Sequence, residues 1–243
     1  LTGKTSFSIT SEAKTRTSGV YDGSGVDFYW TTNDNIWVNS GSATSPTLTA
    51  SSSNNITSTT TSAKFYFDGT YTAASYPVRY TGNANTSGNT VTIATSQNQD
   101  EANNATQLGT VGDCGVGTAT RQTDGSYKFT LSHKASYITF MPYYSKEALD
   151  ASAVVTQIKV EAADDEKLAG TFNFSDSGLG AANSSSNSVT LTLNGTSSTT
   201  GFPIPTTATA SKNAAIMVVA PGTYSTFKVT YTLYDSVTGT KST

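Results

Sequence analysis

YKFTLSHKASYITFMPYY, residues 127–144, is the stretch whose reading decides the fold. From Tyr127 through Phe129, Leu131, His133, Ala135 and Tyr137 every second residue is apolar or aromatic, with Lys128, Thr130, Ser132, Lys134 and Ser136 between them. A period of two belongs to a half-buried β-strand. At Ile138 the phase slips, because Ile138 and Phe140 continue the apolar set one residue out of step. A bulge does this, and so does a strand that passes from one sheet face to another. At about 3.3 Å per residue, Tyr127 to Phe140 would run roughly 45 Å, well beyond a strand of about 5 or 6 residues. The expectation is a strand that leaves one sandwich and leads into a second, with the slip near Tyr137 and Ile138 marking the approach to the junction.

The rest of the chain repeats this pattern in shorter pieces. Phe7 and Ile9 alternate with Ser and Thr in a short first strand, and the polar Ser11–Ser18 follows, with Lys14 and Arg16 open to a trypsin-like protease. Asp22-Gly23-Ser24-Gly25 turns the chain; Val26–Trp30, Ile36-Trp37-Val38 and Leu48 with Ala50 suggest strands. The low-complexity SSSNNITSTTTS of residues 51–62 reads as a loop. Phe65 and Phe67 lead into the turn Asp68-Gly69, Tyr76, Val78 and Tyr80 answer them, and Val91 and Ile93 pair later. Short strands at this spacing describe a sandwich. Residues 97–104 read as exposed, and Lys146–Ala151 as one helical turn.

The β pattern then resumes in Val154, Thr156, Ile158 and Val160, in Phe172 and Phe174, and in Val189, Leu191 and Leu193. Ile216–Ala220 is apolar without alternation, which fits a strand covered on both faces. In the last clear strand Phe227, Val229, Tyr231 and Leu233 point inward, and the Asp235–Gly239 turn has no evident return strand. Such an edge needs a partner strand from elsewhere, or marks a C-terminal domain incomplete at Thr243.

Composition narrows the function. Of the 243 residues only 13% are charged, and the net charge of −3 contains no basic run for a nucleic-acid backbone. No apolar run is long enough to span a bilayer, and a single cysteine, Cys114, leaves no intrachain disulfide. This is the profile of an extracellular or envelope protein whose targeting segment is expected to have been removed. His133, the only histidine, lies on the apolar face of its strand and reads as a structural residue. Cys114, in Gly112-Asp113-Cys114-Gly115, reads as a buried thiol, since no pattern pairs it with His133. Asp34-Asn35, Asp100-Glu101 and Asp164-Asp165-Glu166 lack the alternating spacing of a calcium loop and read as solvated turns. Trp30 and Trp37 could stack on a sugar if exposed, although packing is the commoner fate. GxSxG, HExxH and the P-loop are missing from the sequence, so neither an enzyme nor a cofactor is expected.

Three stretches carry a resemblance. Trp30-x-x-x-Asp34-x-Ile36-x-Val38, then Phe65-x-Phe67-Asp68-Gly69 with Tyr76-x-Val78-x-Tyr80, then Leu131-x-His133-Lys134-Ala135-Ser136-x-Ile138-x-Phe140 occur in the order seen in the fimbrillin-like proteins (type V pilins) of Bacteroidetes. Gly112-Asp113 and Ala220-Pro221-Gly222-Thr223-Tyr224 also look like that family, with Asn33 standing where the family has Gly. The resemblance implies an all-β fold of two Greek-key transthyretin-like β-sandwich domains in tandem, 1–144 and 145–243. It further implies export as a lipoprotein, with the membrane reached only through a removed lipid-anchored N-terminus, and a place in a fimbria at the outer membrane surface as shaft, anchor or tip. In the shaft pilins a protease cuts after an arginine behind the first strand, and a strand from the next subunit fills the groove; Arg16 is the residue that matches. Other fimbrial subunits would then be the partners. The alternative is a carbohydrate-binding or tip-adhesin module that meets host or bacterial surface glycans or proteins through Trp30, Trp37 or the tyrosines.

Overall fold

The structure, a computed structural model, describes residues 2–9, 18–83, 86–144, 152–194, 200–208, 213–235 and 237–243. The described residues form short strands and one helical turn. The first are β1 (Lys4–Ile9), β2 (Ser18–Tyr21), β3 (Val26–Tyr29), β4 (Trp37–Asn39), β5 (Leu48–Ala50), β6 (Ser53–Asn54), β7 (Lys64–Asp68) and β8 (Ser75–Tyr80). There follow β9 (Thr90–Ile93), β10 (Ser96–Gln99), β11 (Asn104–Ala105), α1 (Leu108–Val111), β12 (Gly115–Arg121), β13 (Tyr127–Phe129), β14 (Ser132–His133) and β15 (Ser136–Phe140). The last are β16 (Ala153–Glu161), β17 (Ala169–Ser175), β18 (Gly178–Ser186), β19 (Ser188–Leu193), β20 (Phe202–Pro203), β21 (Ala215–Val219), β22 (Lys228–Asp235) and β23 (Lys241–Ser242).

The largest sheet has nine strands in the order β5-β4-β8-β12-β13-β1-β7-β6, with β14 also on β12. Its inner face carries an aromatic cluster built on Phe7, Trp30, Phe65, Phe67, Tyr80 and Tyr127. The Trp30 ring lies 5.1 Å from Phe65 on β7 and 5.4 Å from Tyr80 on β8. Three strands stand between β7 and β8, which would put them roughly 19 Å apart in a flat sheet. The sheet instead curls into a half-barrel around the indole.

A second, mostly aliphatic cluster lies among β10-β19-β16-β22-β23, β18-β17-β9, the pair β15-β21 and the small sheet β11-β2-β3. The clusters do not divide the sequence at one point: Phe28 and Val91–Val116 belong to the second although residues on both sides of them belong to the first. The chain is therefore an all-β protein of several sheets. The division expected between residues 144 and 145 adjoins residues 145–151, which, with the helical turn read there, lie outside the described residues.

The 127–144 stretch is three strands rather than one. Tyr127, Phe129 and Leu131 enter the aromatic cluster, Ala135 and Phe140 enter the aliphatic one, and the hand-over falls at His133 rather than at the phase slip. Beyond it Ser136–Thr139 are half-buried on both faces, so the alternation loses its phase. On β16 a register shift between Val155 and Gln157 does the same: Ala153 and Val155 are buried, then Ile158 and Val160. Three further expectations are corrected. Gln97 and Gln99 are fully buried, not exposed, because their amides serve another strand. The 51–62 loop contains β6, which pairs with β7. The last long strand does have a return, since β23 pairs with Leu233 and Tyr234 of β22; among the described residues no strand pairs with Lys228–Thr232 on that side.

Val78 and Tyr80 of β8 point into the half-barrel, and Arg79 between them points out, where the end of β17 meets it. Only 1% exposed, Arg79 donates from Nε to Asp176 Oδ1 (2.6 Å) and from Nη1 to the carbonyls of Gly88 (2.9 Å) and Phe174 (2.9 Å). Asn39 Nδ2 donates to the other oxygen of Asp176 (2.8 Å). Asp176→Ala is expected to lower the unfolding free energy by about 3 kcal/mol, the cost of stranding a buried guanidinium, as read by urea denaturation. A loss below about 0.5 kcal/mol, typical of an ordinary surface change, would mean that the carbonyl acceptors alone support Arg79.

Candidate functional site

The feature most open to function is the slot that β1 fills. β1 runs parallel to β13, with Phe7 opposite Tyr127 and Ile9 opposite Phe129, and antiparallel to β7, from Lys4 opposite Asp68 to Ser8 opposite Lys64. Phe7 stacks on Tyr127 at 4.5 Å and meets Phe67 edge-on at 4.9 Å. Around the strand, Ile9 N donates to Ala63 O (3.0 Å), Thr5 Oγ1 to Gly69 O (2.9 Å), and Lys4 Nζ lies 3.3 Å from Asp68. Alternation explains the arrangement: Phe7 and Ile9 share the inner face, and Ser6 and Ser8 the outer. Burying the two apolar side chains contributes about 2–3 kcal/mol each. Arg16, the expected cleavage site, lies outside the described residues.

A polar cluster marks the hand-over between the two apolar clusters. Gly112, at φ 119°, ends α1 in the left-handed region that favours glycine and turns Asp113 inward. Tyr137 Oη donates to Asp113 Oδ1, while His133 Nδ1 lies 2.7 Å from Tyr137 Oη and 3.1 Å from Asp113 Oδ1. With the tyrosine proton committed to Asp113, its oxygen accepts, so the tautomer that satisfies both neighbours carries its proton on Nδ1. Phe28 packs on the His133 ring at 4.2 Å. Burial first, and Asp113 second, push both the Tyr137 hydroxyl and the Cys114 thiol well above their ordinary pKa values. Cys114 is thereby held as the thiol, a poor nucleophile. The arrangement stitches β14 and β15 to the start of β12. His133 and Tyr137 share a phase of the alternation, so their nearness has a sequence signal; Asp113, twenty residues earlier, has none.

Trp30 is fully enclosed and offers no face to a sugar, which corrects the stacking expectation for that residue. Trp37 is half-buried beside Gly88, where a Cβ would come within 2.9 Å of the indole, and its Nε1 is shut off from solvent. The sequence reading therefore paired two tryptophans that stand on opposite faces of the half-barrel sheet. Asp34, expected in a solvated turn, is 2% exposed, with Thr31 N donating to Oδ2 (2.6 Å) and Tyr80 Oη to Oδ1 (3.2 Å). Glu166 accepts from the backbone of Ala163 and Ser225, and Asp100 from Asn194. Among the described residues no three His, Cys, Asp or Glu side chains converge as metal ligands. An open apolar groove of about 490 Å³ lies between β15 and β22, lined by Phe140, Met141, Tyr143, Tyr231 and Leu233 among others. No helix among the described residues is long and apolar enough to cross a membrane.

No protein-family model matches the chain, and no curated protein matches it. In fold it is similar to the crystal structure of a proposed cell adhesion protein from Bacteroides uniformis, with a TM-score of 0.52 at 14% identity over 98% of this chain and 82% of that one. A proposed cell adhesion protein from Bacteroides eggerthii aligns with a TM-score of 0.40 at 13% identity, over 98% of this chain and 77% of that one.

Tyr137→Phe is expected to destabilise the protein by about 1–3 kcal/mol, because it removes a donor from a buried carboxylate. Denaturant unfolding checks this, and a change no larger than that of Tyr143→Phe at the exposed surface would show the cluster to be incidental.

Proposed function

We propose that this chain is a structural subunit of a cell-surface fimbria, joined to its neighbours by exchange of a β-strand, exported as a lipoprotein, and acting without cofactor or catalysis. The observation that carries the reading is the position of β1. The first strand of the sequence lies inside the nine-stranded sheet, between β13 and β7, rather than at its rim. Cutting after Arg16 would leave β1 held by two ladders and by Phe7 and Ile9. A strand of like pattern from another copy can reproduce all of these contacts, with main-chain hydrogen bonds supplying affinity and alternate side-chain pockets supplying register. The accompanying reading of the fold is two transthyretin-like Greek-key sandwiches in tandem, each centred on one apolar cluster, with Phe28 and the apolar residues of 91–116 reaching from the first half into the second cluster. Likeness in fold to a proposed cell adhesion protein agrees with a surface location. Other fimbrial subunits would be the partners, with host or bacterial surface molecules met at the fibre's end.

Arginine-specific proteolysis is expected to release residues 1–16, preserve the β-type circular dichroism spectrum and shift the protein to higher oligomers in sedimentation velocity. Excess synthetic peptide 1–16 should suppress that shift. Cleavage that only unfolds the protein, or a bond that resists the protease, would overturn strand exchange.

A further inference from the structure

β21 is the most apolar strand in the chain, Ala215-Ile216-Met217-Val218-Val219, with Ala214 and Ala220 at its ends and no residue from 214 to 220 more than 3% exposed. A run with high strand propensity, no charge and no proline is the kind of sequence that recruits further strands when an edge is free. One edge of β21 pairs antiparallel with β15, and among the described residues no strand pairs with the other. The backbone groups of the even-numbered residues on that edge are nevertheless occupied.

On β21 Gln97 serves Val218: its Oε1 accepts from Val218 N (2.9 Å) and its Nε2 donates to Val218 O (2.7 Å), with a second bond from Nε2 to Ala94 O (3.0 Å). Gln99 Oε1 accepts from Ile216 N (2.7 Å), and its Nε2 donates to Ala214 O (3.1 Å). Gln107 Nε2 takes the remaining carbonyl, Ile216 O (3.1 Å). At the ends, Ala214 N donates to Asn103 Oδ1 (2.8 Å) and Ala220 N to Leu168 O (2.7 Å). A glutamine amide has the donor and acceptor of a peptide group, and Gln97 and Gln99, two apart on β10, project to the same side with the spacing of a strand. β10 itself is an edge strand of the facing sheet, so the amides bridge the two sheets and close that side of the aliphatic core.

We propose that Gln97, Gln99 and Gln107 form a strand made of side chains that seals β21 against the addition of another chain. The device stands apart from the β1 slot and does not depend on the strand-exchange reading.

Hydrogen exchange followed residue by residue tests it in the unaltered protein. The amides of Ile216 and Val218 are expected to be protected within about tenfold of Met217, which faces β15, because buried paired amides open only with their surroundings. Exchange at 216 and 218 more than about a hundredfold faster than at 217 overturns the proposal. In Gln97→Leu/Gln99→Leu the same two amides are expected to exchange at least about tenfold faster, and the protein to self-associate in sedimentation velocity at concentrations where the parent does not. A folded double variant with parental exchange and no association refutes the seal. If the double variant does not fold, Gln97→Leu alone carries the test, since it frees Val218 and leaves Ile216 paired: selective acceleration at 218 is expected, and uniform rates count against the proposal.

Discussion

A guanidinium can be taken out of water only where its donors find acceptors already fixed by something else, and Arg79 meets that condition on the outer face of the half-barrel. Its partners come from separate parts of the chain: Asp176 from the β17–β18 turn, the Gly88 carbonyl and Asn89 from the approach to β9, the Phe174 carbonyl from β17. Desolvating such a charge is expensive, and the ion pair offsets that cost only when all of these groups are in place together. The seam thus ties the outer face of the half-barrel sheet to the β18-β17-β9 sheet, two sheets that also meet in the aliphatic cluster through Val116 of β12. Asn39 reinforces it, because its Nδ2 holds Asp176 while its Oδ1 accepts from the backbone of Gly41 and Thr47.

The two clusters meet the cost of burying polar groups in different ways. In the half-barrel the sheet curls around Trp30, and Asp34 is drawn inside by Thr31 and Tyr80, so one carboxylate is satisfied within an aromatic core. In the aliphatic cluster neutral amides do the equivalent work along β21. Both solutions place polar chemistry where it satisfies backbone and leave little of it facing solvent in a cleft.

How far the sequence foretold this depends on which physical signal each element carries. Alternation placed Phe7 with Ile9, Phe65 with Phe67, and Tyr127 with Phe129 on buried faces, because each of those strands has one wet side. It lost phase where that condition lapses, at β15, which is half-covered on both faces, and at the β16 register shift. The unbroken run at 216–220 correctly signalled a strand buried on both faces. Gln97 and Gln99 were misread because polarity was taken for exposure, although their spacing of two was a strand signal in itself. Arg79 and Asp176, nearly a hundred residues apart, and Asp113 with Tyr137 left no local trace, since a pair closed only by tertiary folding has no period.

Unpaired strand edges invite further pairing, and the edges of this molecule are covered unequally. β1 is interior, so its slot is reachable only if the strand itself leaves. β21, the strand with most to gain from another partner, is closed by side chains rather than by a strand, which spares the fold a further connection across the core. Among the described residues Lys228–Thr232 of β22 have no strand partner on the side where β23 ends, and Lys228 at the start of that edge is charged, facing Glu161 of the neighbouring β16 at 3.8 Å. Charge discourages strand pairing without forbidding it, whereas a filled ladder forbids it. Strength of closure therefore follows apolarity along these edges: the strand of highest apolar content has its groups filled, and the amphipathic β22 is only discouraged.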